Sequence, residues 1–229
     1  ELQSLVGSLN FLSSCVRPGR MLMARILNTL RDLGSGDTIE LTEEFKRDVA
    51  WWRIFAPEYN GVSLMPLNDW SEPDEIVACD ACLDGCGGYS LGKYFHTKFP
   101  QFIQDQKLHI NALELLCVTV ALRLWGRAWK GSRIRMKCDN MTAVTVLNTG
   151  RSKDPFLQSC LREICYLTAK YECEIRAVHI DGVSNRLTDL LSKCEKGERY
   201  KQEFFHLTRS IVIKKFNVPI DYFRFSHNW

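Results

Sequence analysis

Apolar positions over the first sixty residues recur at helical spacing. Leu2, Leu5, Val6, Leu9 and Leu12 fall on one face, and Pro18 with Gly19 supplies a stop. A second helix is predicted from Met21 to Arg31. A third opens at Thr42-Glu43-Glu44-Phe45, an imperfect capping box because Phe45 stands where Glu or Gln would close it, and it carries Val49, Trp52 and Phe55 on one side. The stretch from Gly61 to Pro73 holds two prolines and turn residues, which places a boundary near Pro73.

After that boundary the period changes. Glu75 to Cys79 reads as a strand, a turn at Asp84 and Gly85 leads to a second from Gly87 to Phe95, and a third short strand is expected near Lys107 to Ile110. A long helix is predicted from about Asn111 to Lys130. Ser132 to Cys138 alternates, with Ile134, Met136 and Cys138 on one face and Arg133, Arg135 and Lys137 on the other. A short helix should follow Asn140, another should run from Asp154 or Pro155 to about Tyr171, Glu174 to His179 should be the last strand, and a final helix should start at Asn185. This order, β-β-β-α-β-α-α-β-α, predicts a mixed α/β fold: a five-stranded sheet flanked by helices, behind an N-terminal helical segment.

Composition narrows the class. A chain of 229 residues that is 45% hydrophobic can bury a sizeable core. No stretch reaches eighteen uninterrupted apolar residues and the amino end lacks a secretory pattern, so the expectation is a soluble intracellular protein, cytoplasmic or nuclear, without a membrane partner. The ten cysteines are scattered through apolar patterns, which fits a reduced compartment better than a disulfide framework. Cys79, Cys82 and Cys86 suggest zinc at first sight, but no second Cys/His pair at matching spacing follows.

The net charge of +3 is too small to imply a nucleic-acid partner by itself. Its distribution says more. Arg123, Arg127, Lys130, Arg133, Arg135 and Lys137 fall in one stretch without an acid, interleaved with Trp125 and Trp129, and form a candidate phosphate-facing patch. A solvated helix end and strand face is the competing reading.

Three acids stand where packing alone would not put them. Asp80 and Asp139 each end a strand run, and if those strands are parallel neighbours their carboxylates converge at the edge where open α/β sheets bind ligands. Glu114 is the only charged residue from Ile110 to Leu122 and lies beside the apolar face of its helix, so it needs a compensating partner: a basic residue, or a metal shared with the other two. A fourth acid, Asp189, belongs to the pattern His179-x5-Asn185-x3-Asp189.

The segments "CDACLDGCGGY", "NALELL", "KCDNMTAV" and "AVHIDGVSNRLTDLLS" resemble, in order, the four catalytic motifs of ribonuclease H. The resemblance implies the ribonuclease H-like fold over residues 73–196. It also implies endonucleolytic hydrolysis of the RNA strand of an RNA/DNA hybrid, with Asp80, Glu114, Asp139 and Asp189 as metal ligands and catalytic residues. His179 then matches the family's mobile histidine, which acts in proton transfer and product release. Asn111 matches an asparagine that contacts the hybrid's minor groove. Asn140, Asn185, Arg127 and Lys130 complete the expected substrate contacts. Hard oxygen ligands favour Mg²⁺, two ions about 3.5 to 4 Å apart, with Mn²⁺ as a substitute.

"ELQSLVGSLNFL" and "LTEEFKRDVAWWRIFAPEYNG" resemble the thumb-to-connection segment that precedes ribonuclease H in retroelement reverse transcriptases, and the whole is most similar to the DIRS group, which carries a tyrosine recombinase. That implies residues 1–72 are a helical remnant of the polymerase, residues 197–229 a helical and aromatic tail, and the polymerase part of a reverse transcriptase a partner. No Tyr-x-Asp-Asp motif occurs, Cys82 replaces a small serine, and Cys194 stands where a tryptophan is usual. The main rival is a domesticated, non-catalytic nucleic-acid-binding or scaffolding domain. Integrases, which place a glutamate where Asp189 stands, and exonucleases, which use Asp-x-Glu on the first strand, fit less well.

Overall fold

The computed structural model describes residues 2–15, 22–31, 34, 36–58 and 72–227. Among the described residues the N-terminal segment contains helices α1 (Leu2–Cys15), α2 (Met23–Arg31) and α3 (Glu43–Phe55). The predicted stop at Pro18 and Gly19, the start at Met21, residues 61–71 of the expected linker and Trp229 lie outside the described residues. Thr42 caps α3, its hydroxyl accepting from the Phe45 amide at 3.2 Å. Only this half of the capping box exists, because Phe45 cannot reach back; its ring is buried instead.

Six strands form one sheet in the order β5-β4-β1-β2-β3-β6. They are β1 (Glu75–Ala81), β2 (Gly85–Ser90), β3 (Lys93–Lys98), β4 (Arg133–Cys138), β5 (Glu174–His179) and β6 (Lys214–Lys215). β1, β4 and β5 run parallel, β1-β2-β3 is antiparallel, and β6 adds a short parallel edge to β3. The architecture is the mixed α/β sheet expected, with six strands instead of five.

Two expectations about the strands are corrected. The run from Gly87 to Phe95 is not one strand: Leu91 (φ 44°) and Gly92 (φ 80°) make a tight turn that folds it into the β2–β3 hairpin. The expected strand at Lys107 to Ile110 is absent. Lys107 adopts φ 48°, which breaks extended backbone, and His109 instead caps the next helix by accepting from the Asn111 amide.

The remaining helices are α4 (Gln101–Gln104), α5 (Ile110–Trp125), α6 (Met141–Thr149), α7 (Pro155–Tyr171), α8 (Arg186–Ser192) and α9 (Glu198–Leu207). α5 ends earlier than the predicted Lys130, passing into a 3-10 turn at Gly126–Trp129. It packs on β1 and β2 with α7 behind it, while α8 and α9 cover the opposite side. Gly87 explains how α8 sits so close: a Cβ there would lie 2.4 Å from the Leu191 Cβ, so only glycine lets the helix settle on β2. β5 is an edge strand, and α6 closes that edge. The Asn148 side chain donates to the Ala177 carbonyl and accepts from its amide, both at 2.9 Å, as a neighbouring strand would.

α3 is part of the same core. Trp51 and Trp52 are buried, and the Trp51 indole donates to the Arg162 carbonyl on α7 at 3.0 Å. The C-terminal segment packs in the same way: Phe223 against Phe99, Phe216 against Trp125, and Phe225 against Phe156. The nine cysteines from Cys79 to Cys194 are buried free thiols. Among the described residues, no helix is long and apolar enough to cross a membrane.

Candidate metal centre and active site

β1 and β4 are parallel neighbours, with Ala78 opposite Lys137, so the residues that follow in each strand approach the same edge of the sheet. Asp80 is the sixth residue of β1, one short of its end, and Asp139 follows the last residue of β4. Glu114 comes from the second turn of α5 on one side, and Asp189 from the first turn of α8 on the other. Four elements thus deliver four acids to one place. Carboxylate oxygens of Glu114 and Asp139 and the Cys138 sulfur all lie within 4.8 Å of one another, close enough to share an ion.

The burial of these acids is costly. Asp80 is 5% exposed and Glu114 3%. Burial pushes the Asp80 carboxyl well above the usual range, and the negative charges of Asp139 and Asp189 add to the effect. Burial also raises Glu114, with Asp80 and Asp139 as further repulsive neighbours, against the opposing effect of a hydrogen bond from the Ala81 amide. Such a cluster without a cation keeps protons it would otherwise lose. A divalent ion would relieve burial and repulsion together, and the carboxylates of this cluster are donors suited to a hard one. One local cation is already in place: Lys193 forms an ion pair with Asp189 one turn along α8, an i,i+4 relationship visible in the sequence but not singled out there.

Other expected site residues fall into distinct roles. Asn185 is 1% exposed and lies under the acids, not on the surface where substrate would meet it. Its amide points to the Cys79 carbonyl at 3.4 Å and Asp80 Oδ1 at 3.5 Å, and its own oxygen accepts from the Thr188 hydroxyl. The structure thus places Asn185, expected as a substrate contact, in a buried position beside Asp80. Asn140 caps α6, accepting from the Ala143 amide at 3.1 Å, and its amide donates to the Asn111 side-chain oxygen at 2.9 Å. Those two asparagines are thus brought together through the Asn111 side-chain oxygen.

His179 ends β5, as the strand predicted from Glu174 to His179 requires, paired in register with Cys138. Its ring is exposed, with Nε2 3.2 Å from the Asp139 carbonyl oxygen. The following loop borders the acids: a Cβ on Gly182 would lie 3.7 Å from Asp139 Oδ2. Cys82 fastens the β1–β2 turn to the end of α8, its thiol donating to the Ser192 carbonyl at 3.1 Å.

Arg127 and Lys130 are not brought to the acids. Both are exposed beyond the C-terminal end of α5, near the start of β4, whereas Glu114 lies by the N-terminal end of that helix and Asp139 past the far end of that strand. The interleaved Trp125 and Trp129 are buried, so they are core and not a stacking platform. Acids answer part of the stretch: Glu163 pairs with Arg123, Glu172 with Lys130 and Asp74 with Arg133.

No family model matches the sequence, and no curated protein matches it significantly. Among solved structures, the chain is similar to ribonuclease H1 from the halophilic archaeon Halobacterium salinarum NRC-1, at 13% identity and a TM-score of 0.43, covering 53% of this chain and 97% of that one. It is also similar to the prototype foamy virus protease-reverse transcriptase, at 18% identity and a TM-score of 0.32, covering 77% of this chain and 24% of that one. A foamy viral protease-reverse transcriptase in complex with double-stranded DNA matches at 18% identity and a TM-score of 0.29, covering 78% of this chain and 34% of that one. The chain therefore spans only a minor part of the two viral chains to which it is similar.

Proposed function

We propose that this chain is a ribonuclease H, an endonuclease that hydrolyses the RNA strand of an RNA/DNA hybrid. The observation that carries the reading is the convergence of Asp80, Glu114, Asp139 and Asp189 from β1, α5, the end of β4 and α8 at one sheet edge, two of them buried at a cost that a divalent cation relieves. The four sequence motifs support the substrate class. A place beside the polymerase part of a retroelement reverse transcriptase, with DIRS-like ancestry, belongs to the same proposal and rests on the resemblance of residues 1–72.

In this reading the four acids would hold two Mg²⁺ ions, with Mn²⁺ as a substitute, and the bound metal would supply Lewis-acid chemistry for in-line hydrolysis to 5′-phosphate and 3′-hydroxyl ends. Asn185 holds Asp80 in place from below. Asn111, oriented by Asn140, offers its amide group to the minor groove, where the 2′-hydroxyl distinguishes RNA from DNA. His179 stands at the exposed rim beside Asp139, where its imidazole can take up a proton as product leaves. The test is a gel assay with labelled RNA/DNA hybrid, single-stranded RNA and double-stranded DNA, each with Mg²⁺ and with EDTA. Cutting confined to the hybrid and abolished by EDTA is expected; equal cutting of all three substrates refutes the assignment.

A further inference from the structure

The side of the sheet that carries Asp80 is covered unevenly. Asp80 is in register with Gly87, whose missing Cβ admits Leu191 of α8, so Asp80, Ala78 and Ile76 alternate onto the α8 side. α8 packs over β1, β2 and β3. Over β4 and β5 the same face stays partly open to solvent: Val178 is 42% exposed and Ile76, at the border, 39%.

Register then fixes what that open half displays. Ile76 lies beside Arg135, which lies beside Arg176; Ala78 lies beside Lys137, which lies beside Val178. The third cation, Arg176, comes from a strand remote in sequence from the basic stretch. Each row is two residues from the next, about 6.6 Å along the strands, and the row after Lys137 is the acidic edge at Asp80 and Asp139. Arg133 and Glu174 form the outermost row, with Asp74 beside Arg133. Glu174 also reaches Arg176, at 4.0 Å. Short of the acidic edge, the cations Arg133, Arg135, Lys137 and Arg176 share these rows with the acids Asp74 and Glu174.

We propose that this open half-face, through Lys137, Arg135 and Arg176, holds the sugar-phosphate backbone of the nucleic acid where it runs from the acidic edge across β4 and β5. The proposal rests on the ribonuclease reading above and adds the path of the substrate beyond the cleavage point. Guanidinium groups suit it because their forked donors match phosphate oxygens, and such contacts position a substrate without reading its sequence.

Salt dependence of binding tests it. Hybrid affinity is measured by fluorescence anisotropy from low to moderate salt, with Ca²⁺ replacing Mg²⁺, for the wild type, Arg135→Ala/Arg176→Ala, Arg135→Lys/Arg176→Lys and Arg127→Ala/Lys130→Ala. Losing two phosphate contacts should lower the slope of log affinity against log salt by about two. The double lysine variant should keep most of the slope, which separates charge from packing, and the pair beyond α5 should leave it unchanged. Thermal melts identify any variant that fails to fold, in which case Lys137→Gln, with an expected loss of about one, decides. If the wild type binds hybrid and the double alanine variant keeps its slope, the proposed path is wrong and the ribonuclease assignment stands. If the wild type neither binds nor cuts hybrid, both are wrong.

Discussion

Arg162 and Glu163 are adjacent on α7, both side chains fully buried, and they hold opposite ends of the chain. Arg162 bonds Asp48 at 2.8 Å and Glu44 at 2.6 Å, both on α3. Glu163 bonds Arg123 on α5 and accepts from the amide and hydroxyl of Ser226 at 2.9 and 2.7 Å. Helix α3 and the C-terminal segment are thus tied to one helix by two neighbouring charges.

Removing one partner of a buried pair strands the other. Arg162→Ala leaves Asp48 buried without its cation, so the variant should lose about 3 to 5 kcal/mol of stability in chemical denaturation. Replacing both by apolar residues, Arg162→Met with Asp48→Leu, should recover much of that loss. A single variant as stable as the wild type would show that α3 does not depend on this contact.

Asp139→Asn separates catalysis from binding. The change keeps shape and a carbonyl oxygen but removes a charge from the carboxylate cluster, so cleavage in Mg²⁺ should vanish. Affinity for hybrid in Ca²⁺ should stay within a few-fold of wild type, because groove and phosphate contacts dominate it. A variant that cuts at the wild-type rate would place the metal centre elsewhere.

His179 stands at the rim, not among the buried acids, which suits a group that helps product leave. His179→Ala should therefore reduce turnover by roughly ten- to a hundred-fold in steady-state assays, short of the loss expected for a metal ligand. Complete loss would make the imidazole indispensable, and an unchanged rate would make it a surface residue.

The acids also make stability depend on pH and metal together. Burial and repulsion raise Asp80 from an ordinary 3.8 to about 7, so between these values the folded protein binds more protons than the unfolded chain. More protons bound in the folded state means that stability falls as pH rises across that window. In EDTA the melting temperature should drop from pH 5 to pH 8, and Glu114, raised further, should extend the decline above neutrality. Mg²⁺ should flatten the curve, and Asp80→Asn should make the metal-free curve shallower. Identical slopes with and without Mg²⁺ would argue that these carboxylates do not share a cation.

What the sequence alone determined is local. Alternation in Ile134, Met136 and Cys138, the Asn140 and Asp154 caps, and the His179-x5-Asn185-x3-Asp189 spacing are short-range patterns, and the elements they predict formed with nearly the predicted bounds. Asp80, Glu114 and Asp139 were legible because each ends a strand run or interrupts an apolar helix, and Asp189 because of its spacing from His179 and Asn185. Apart from the local backbone breaks at Leu91-Gly92 and Lys107, missed or misread features depend on chain distant in sequence. Leu91 and Gly92 turn β2 back on β3 without an Asn-Gly signal, and no local pattern shows that Arg162 will meet Asp48. Asn185 reads as a surface residue until the packing of α8 on β1 puts it beneath Asp80. Arg176 lies beside Arg135 only because β4 and β5 pair in one parallel register. Side-chain chemistry is carried by each residue, but which groups share a face is set by strand register and helix docking, and those follow from burial of the core as a whole.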